Sequence, residues 1–250
     1  MAKLTILGSS NSIVGDSADN THMVFEFDQR VVLVDSPANP LLKLAKLGIH
    51  YEEITDLIVT HFHPDHVSGV PLFLMDMWLR GRKTPLEIYG LPHALDRLEN
   101  LMDAFSWANW PDFFPVIFNR LPSKELHLAI ETGTFKIYTS EVRHMIPTVG
   151  MRLELSSGKV VAYSCDTAPC EEVVNLGKDA DLLIHEASGE YFGHTSSKQA
   201  AELALKASVK ELCLIHYPTG EFFLPNTLAD AQAVFGDKAF LAKDMMVLEF

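Results

Sequence analysis

Apolar positions along the chain fall into short runs broken by polar turns, and the runs alternate with longer stretches of helical period. Leu4 to Leu7, Met23 to Phe27 and Val31 to Val34 are predicted strands, the last two joined by a tight turn at Asp28-Gln29-Arg30. Leu41 to Leu47 is amphipathic and stops at Gly48, which predicts a helix. Ile54 to Thr60 reads as a buried strand, Val67 to Arg80 as a helix, Leu86 to Tyr89 as a strand and Pro92 to Phe105 as a helix. Farther on, Lys136 to Val142, Met151 to Leu155 and Val160 to Ser164 read as strands, the last two turning through Ser156-Ser157-Gly158. Leu182 to Ile184, Leu212 to Ile215 and Met245 to Phe250 complete the strands, with helices at Ser196 to Ala207 and Thr227 to Phe235. Two groups of strands, each followed by helices, predict a mixed α/β chain with two sheets face to face and helices outside. No linker divides the chain, so one domain over 1–250 is expected. The two halves have a loosely similar order of elements, but no convincing sequence repeat.

Composition narrows the function classes. With 33 acidic against 20 basic residues the formal charge is −13, which excludes an extended basic surface for nucleic acid. The three cysteines, Cys165, Cys170 and Cys213, have no disulfide or zinc-ribbon spacing, which points to a reducing compartment. The apolar run within Met1 to Gly8 is too short for a signal peptide, and no stretch is long enough to span a bilayer. A cytoplasmic protein with no membrane partner is expected.

The densest polar cluster is Thr60-His61-Phe62-His63-Pro64-Asp65-His66, at the end of an apolar strand. Side chains two apart in an extended segment point the same way, so His61 and His63 can address one ion. Asp65 and His66 fall on the turn into the following helix and can aim at a neighbouring position. Imidazole nitrogen and carboxylate oxygen suit zinc, manganese or iron, and the lack of cysteine in the cluster excludes the usual structural zinc site. Solvated loop residues are the bland alternative for any one of these histidines, but four donors at this spacing are hard to explain as packing.

Three later strand ends add polar residues after apolar runs: Arg143-His144-Met145, Ser164-Cys165-Asp166-Thr167 and Leu214-Ile215-His216-Tyr217-Pro218. With His144, Asp166 and His216 the donors number five histidines and two aspartates. One zinc takes about four ligands, so seven point to a pair of ions with a shared bridge.

This pattern resembles the metallo-β-lactamase superfamily over nearly the whole chain, which implies a four-layer αββα sandwich. Carried over, the resemblance implies His61, His63 and His144 on one divalent ion, Asp65, His66 and His216 on the other, and Asp166 bridging. Zinc is the expected metal, with manganese or iron as alternatives. Asp35, in Leu33-Val34-Asp35-Ser36-Pro37, matches an aspartate that orients a ligand histidine; capping a turn is its equally good bland role. Two divalent cations against two aspartates and one hydroxide leave the pocket net positive, so it can attract an anion although the surface repels one.

A second motif selects among reactions. Leu183-Ile184-His185-Glu186-Ala187-Ser188, then Gly193-His194-Thr195-Ser196-Ser197 and a helix from Gln199, is similar to the segment of ribonuclease Z-like enzymes that carries a glutamate and a histidine beside the metals. The resemblance implies Asp65, Glu186 and His194 as the catalytic set and a metal-bridging hydroxide as nucleophile. An alkoxide leaving group needs a proton, and His194, kept cationic and oriented by Glu186, would supply it; the bland alternative is that His194 caps the helix. Cys165 stands where that family usually has glycine, and Ser188 where threonine is common. No Gly/Pro-rich basic insertion corresponds to the arm with which ribonuclease Z grips transfer RNA, so transfer RNA is disfavoured and a small phosphodiester or nucleotide is the expected substrate. Lactone or aryl-ester hydrolysis is the alternative chemistry, and a non-catalytic scaffold the alternative class.

Two segments remain open. Phe105 to Pro115 carries five aromatics interleaved with prolines, and core packing, a substrate cleft or a homodimer interface would each account for it. Arg80-Gly81-Arg82-Lys83 reads as a solvated helix end rather than a phosphate clamp. His22, His50, His93, His127 and His185 have no ligand-like spacing.

Overall fold

A computed structural model describes residues 2–16 and 18–250; Met1, where the short N-terminal run begins, and Ser17 lie outside it. In chain order the elements are β1 Lys3–Gly8, β2 His22–Glu26, β3 Val31–Val34, α1 Leu41–Lys46, β4 Ile54–Ile58, α2 Pro64–Val67, α3 Val70–Leu79, β5 Leu86–Gly90, α4 Pro92–Ala104 and β6 Val116–Arg120. There follow β7 His127–Glu131, β8 Phe135–Val142, β9 Thr148–Leu155, β10 Val160–Tyr163, α5 Glu171–Gly177, β11 Leu182–Glu186, α6 Ser197–Lys206, β12 Glu211–Ile215, α7 Thr227–Phe235, β13 Ala239–Leu241 and β14 Met246–Glu249. The chain divides into two compact units, each carrying one seven-stranded sheet.

The first unit comprises the residues up to Leu7, Thr21–Leu121 and Val247–Phe250. Its sheet runs β14-β1-β2-β3-β4-β5-β6. β2 and β3 pair antiparallel through the short turn expected, and β3 to β6 are parallel. Leu33, Val34, Leu57 and Ile58 are fully buried, which is why these central parallel strands read as continuous apolar runs. The helix expected from Val67 to Arg80 is two helices. A Cβ on Gly69 would stand 2.3 Å from the Ala38 backbone, so the chain passes that loop only as glycine, and the turn at Ser68-Gly69 separates α2 from α3.

The second unit comprises Gly8–Asn20 and Pro122–Met246, with its sheet in the order β13-β12-β11-β10-β9-β8-β7. β7 to β10 are antiparallel neighbours, and β10 to β13 are parallel. α6 lays Ala200, Ala201 and Ala204 against Leu183 and Leu214, small residues that let the helix approach the sheet closely. Each sheet thus joins an antiparallel part to a run of four parallel strands, the physical content of the loosely similar order seen in the sequence.

Four elements escaped the sequence reading: β6, β7, β13 and α5. β6 and β7 are edge strands, each with a single fully or no buried position, so neither a buried run nor clean alternation marks them. α5 is only seven residues long. Arg82 corrects the reading of the basic run: it is 1% exposed and donates to the carbonyls of Tyr51, Ile54, Thr84 and Pro85 at 2.5–2.9 Å. Its guanidinium carbon lies 5.2 Å from the Phe114 ring, and burial lowers its pKa to about 10. The aromatics of Phe105 to Pro115 pack within the first unit: Trp110 stacks on Trp78 at 5.0 Å, and Phe113 meets Trp78, Trp107 and Trp110 edge-on. Phe105 and Trp110 also rim a cavity of about 480 Å³ with Pro71, Leu72 and Met75.

Candidate metal centre

In the first unit the donors sit where the parallel strand β4 ends. Beyond Ile58 the chain leaves the strand, His63 is extended, and Pro64 then opens α2, its fixed φ suited to a first helical turn. His61 Nε2 and His63 Nδ1 face each other at 3.0 Å, and His66 Nε2 stands 3.9 Å from Asp65 Oδ2. These are separations of neighbouring donors around an ion bonded at about 2.0–2.1 Å.

Asp35, at the end of β3, is the anchor of this loop. Its Oδ1 accepts from the Thr60 amide at 2.8 Å, and its Oδ2 accepts from Thr60 Oγ1 and His66 Nδ1, both at 2.7 Å. A carboxylate only accepts, so His66 carries its proton on Nδ1 and keeps Nε2 unprotonated, the form that can donate to a metal. Thr60 Oγ1 also lies 3.1 Å from His61 Nδ1. Asp35 therefore holds and orients the His66 imidazole, a contact that turn capping alone would not require.

The second unit gathers its donors from separate strand ends. β8 brings His144, β10 brings Asp166, β11 brings Glu186 and β12 brings His216. Asp166 Oδ2 lies 3.4 Å from His216 Nε2 and 3.9 Å from His144 Nε2. The His144 Nδ1 donates to the Gly193 carbonyl at 2.7 Å, and His216 Nδ1 lies 2.8 Å from Ser188 Oγ. Gly193 has φ +80°, and a Cβ there would stand 3.0 Å from His144 Nδ1, so glycine is favoured at this position.

Glu186 is fully buried and surrounded by donors. Oε1 accepts from the amides of Thr167 and Thr195 at 3.1 and 3.2 Å and from His194 Nδ1 at 2.9 Å; Oε2 accepts from the Ser188 amide at 2.8 Å. Burial raises its pKa, the His194 bond lowers it and the charge of Asp166 raises it. The net shift is upward, with burial its largest cause, while the four donors on its two oxygens favour the ionised form. His194 stands with its ring centroid 4.9 Å from that of His144 and 5.9 Å from that of His216. Donor atoms of His144, Asp166 and His194 lie within 4.8 Å of one another, as do those of Glu186, His194 and His216. The helix after this loop is capped by Ser196 with Gln199 in a capping box, so the capping alternative for His194 is displaced by a residue two positions on.

Three residues at these strand ends have left-handed backbone: Asp35 (φ 61°), Cys165 (φ 53°) and His216 (φ 54°). Such a conformation costs of order 1–2 kcal/mol for each non-glycine residue. The structure thus brings His61, His63, Asp65 and His66 together with Asp35 in one unit, and His144, Asp166, Glu186, His194 and His216 together in the other. The donor set of imidazoles and carboxylates in both fits divalent cations. What sequence reasoning missed are the partners that set the imidazoles: the Gly193 carbonyl, the Thr60 hydroxyl and the Ser188 hydroxyl. The capping box at Ser196 was readable in the sequence.

Comparison with known proteins agrees with this chemistry. The chain is similar to the ribonuclease Z of Methanothermobacter thermautotrophicus, 28% identical over 302 positions that cover 100% of this chain and 97% of the relative. Among solved structures it is similar to the metallo-β-lactamase fold protein YhfI from Bacillus subtilis, with a TM-score of 0.82, 20% identity and coverage of 99% of this chain and 98% of that one. It is also similar to the short form of human tRNase Z, with a TM-score of 0.79, 22% identity and the same coverage. Among the described residues no helix is long and apolar enough to cross a membrane. A family model described as Anti-Pycsar protein Apyc1 matches residues 2–235, and the chain belongs to that family, as a ribonuclease Z-like member of the metallo-β-lactamase superfamily of metal-dependent hydrolases.

Proposed function

We propose that the protein is a phosphodiesterase whose two half-sites together hold two divalent cations, His61, His63 and His144 around one, Asp65, His66 and His216 around the other, with Asp166 shared. Such a pair, when bound, supplies a hydroxide at neutral pH and stabilises the charge that builds on phosphoryl oxygens. Zinc suits this donor set best, and manganese or iron are the alternatives.

The observation that carries the reaction type is the bond between buried Glu186 and His194. His194 Nδ1 is committed to the carboxylate at 2.9 Å, which fixes the plane of the ring, and the carboxylate favours the cationic ring. Such a group fits an alkoxide leaving group: an oxygen from water joins phosphorus, the bond from phosphorus to the ester oxygen breaks, and His194 gives that oxygen its proton. The products are a phosphomonoester and an alcohol.

A small phosphodiester, of which a cyclic nucleotide is the type, fits better than transfer RNA. The formal charge of −13 disfavours a long polyanion. An alignment of 302 positions to a chain of 250 residues leaves at least 52 positions of the ribonuclease Z relative without a counterpart here. Ribonuclease activity is the property of that relative.

The test is turnover of bis(p-nitrophenyl) phosphate, cyclic nucleotides, precursor transfer RNA, lactones and aryl esters with zinc or manganese. Phosphodiester turnover is expected, and exclusive ester or lactone turnover would overturn the reading. In the same assay His194→Ala should keep the metal content and lose about 100-fold in turnover, the usual worth of a general acid; unchanged turnover removes His194 from the reaction.

A further inference from the structure

The hydroxyl of Ser188, 4% exposed, lies between two groups of one residue: its Oγ is 2.7 Å from the main-chain oxygen of His216 and 2.8 Å from that residue's Nδ1. A hydroxyl has a single proton, and a carbonyl oxygen only accepts. The Ser188 proton therefore goes to the His216 oxygen, and what Oγ turns toward Nδ1 is a lone pair. Nδ1 must then carry a hydrogen of its own, which leaves Nε2 unprotonated on the side of Asp166, 3.4 Å away.

We infer that Ser188 is a positioning residue: it fixes His216 as the Nδ1–H tautomer and holds its left-handed backbone, so that Nε2 is presented to a divalent cation. This rests on reading His216 as a ligand. The same proton count recurs in the other unit, where Thr60 Oγ1 gives its proton to Asp35 Oδ2 and so accepts from His61 Nδ1. The Ser188 amide also donates to Glu186 Oε2 at 2.8 Å, so one residue ties the carboxylate that serves His194 to the imidazole of His216. A serine kept only to fill space would need neither bond to His216.

The test uses zinc-loaded protein labelled with ¹⁵N in histidine. The His216 signals are identified by their loss in His216→Gln. Hydrogen on Nδ1 with zinc on Nε2 is expected, and hydrogen on Nε2 or zinc on Nδ1 overturns the proposal. Next, zinc affinity is measured by competition with a chelator, and the melting midpoint of the metal-free protein separately. Ser188→Ala should weaken one zinc by about 10–100-fold, the usual effect of losing a partner behind a ligand, and Ser188→Thr, which keeps the hydroxyl, should restore it. A lower midpoint with unchanged affinity would make Ser188 merely structural. Should Ser188→Ala not fold, the wild-type spectrum still decides. If His216→Gln itself leaves zinc affinity and stoichiometry unchanged, the reading of His216 as a ligand fails instead, whatever Ser188 does.

Discussion

The two half-sites present the same donors on opposite scaffolds. In the first unit the four donors fall within six residues of one loop, held by a single distant carboxylate, Asp35, that touches a ligand histidine directly. In the second unit three donors arrive from three strand ends, and the groups behind the histidines are neutral: the Gly193 carbonyl for His144 and the Ser188 hydroxyl for His216. There the buried carboxylate, Glu186, serves His194 instead. A carboxylate behind an imidazole raises its basicity. Under the proposed chemistry, that would strengthen a bond to a metal in the first unit and, in the second, keep a proton on the ring proposed to deliver one.

Replacing the two carboxylates by their amides breaks the comparison most sharply. Glu186→Gln should leave metal content unchanged and lower turnover about 100-fold, the worth of a general acid. Asp35→Asn should weaken metal by about 10–100-fold. Metal analysis after dialysis, beside steady-state kinetics, separates the two, and equal metal loss in both variants would dissolve the distinction.

Acid should also tell the units apart. His185 on β11 is fully buried, donates from Nδ1 to the Glu186 carbonyl and has its pKa lowered to about 4, chiefly by burial. Its folded value lies below the unfolded one, so the stabilisation from the neutral ring is complete above pH 6.5 and is lost as pH falls toward 4. The loss is at most about 3 kcal/mol, at 1.36 kcal/mol for each pKa unit. Urea unfolding of metal-free protein at pH 7 and pH 4.5 should show a shallower fall for His185→Leu than for wild type; parallel falls would exonerate His185.

The smallest effect belongs to the Gly193 loop. Gly193→Ala places a side chain at φ +80°, a cost of about 1 kcal/mol, and pushes against His144 Nδ1. A melting midpoint lowered by a few degrees with weaker metal binding is expected; a lowered midpoint with unchanged binding would separate the loop from the donor.

Much of this was legible in the chain because the relevant signals are local. His61 to His66 announces itself by spacing, and His144, Asp166 and His216 by following apolar runs, whereas Glu186 and His194 were legible only through the family resemblance. The close pass of Gly69 by the backbone of Ala38 was not legible, because Ala38 lies thirty-one residues earlier. Nor was the burial of Arg82, whose four carbonyl acceptors lie on two stretches, at Tyr51 and Ile54 and at Thr84 and Pro85. The Gly193 carbonyl left no trace, since every residue has one, and edge strands β6 and β7 lack the burial that gives a strand its pattern.

The left-handed backbone at Asp35 and His216 limits how the chain can drift. Glycine is the residue that would relax either position, yet it has no side chain with which to hold a ring or an ion. Substitution there is caught between conformational ease and chemistry, so improved folding at these two positions brings loss of the centre itself.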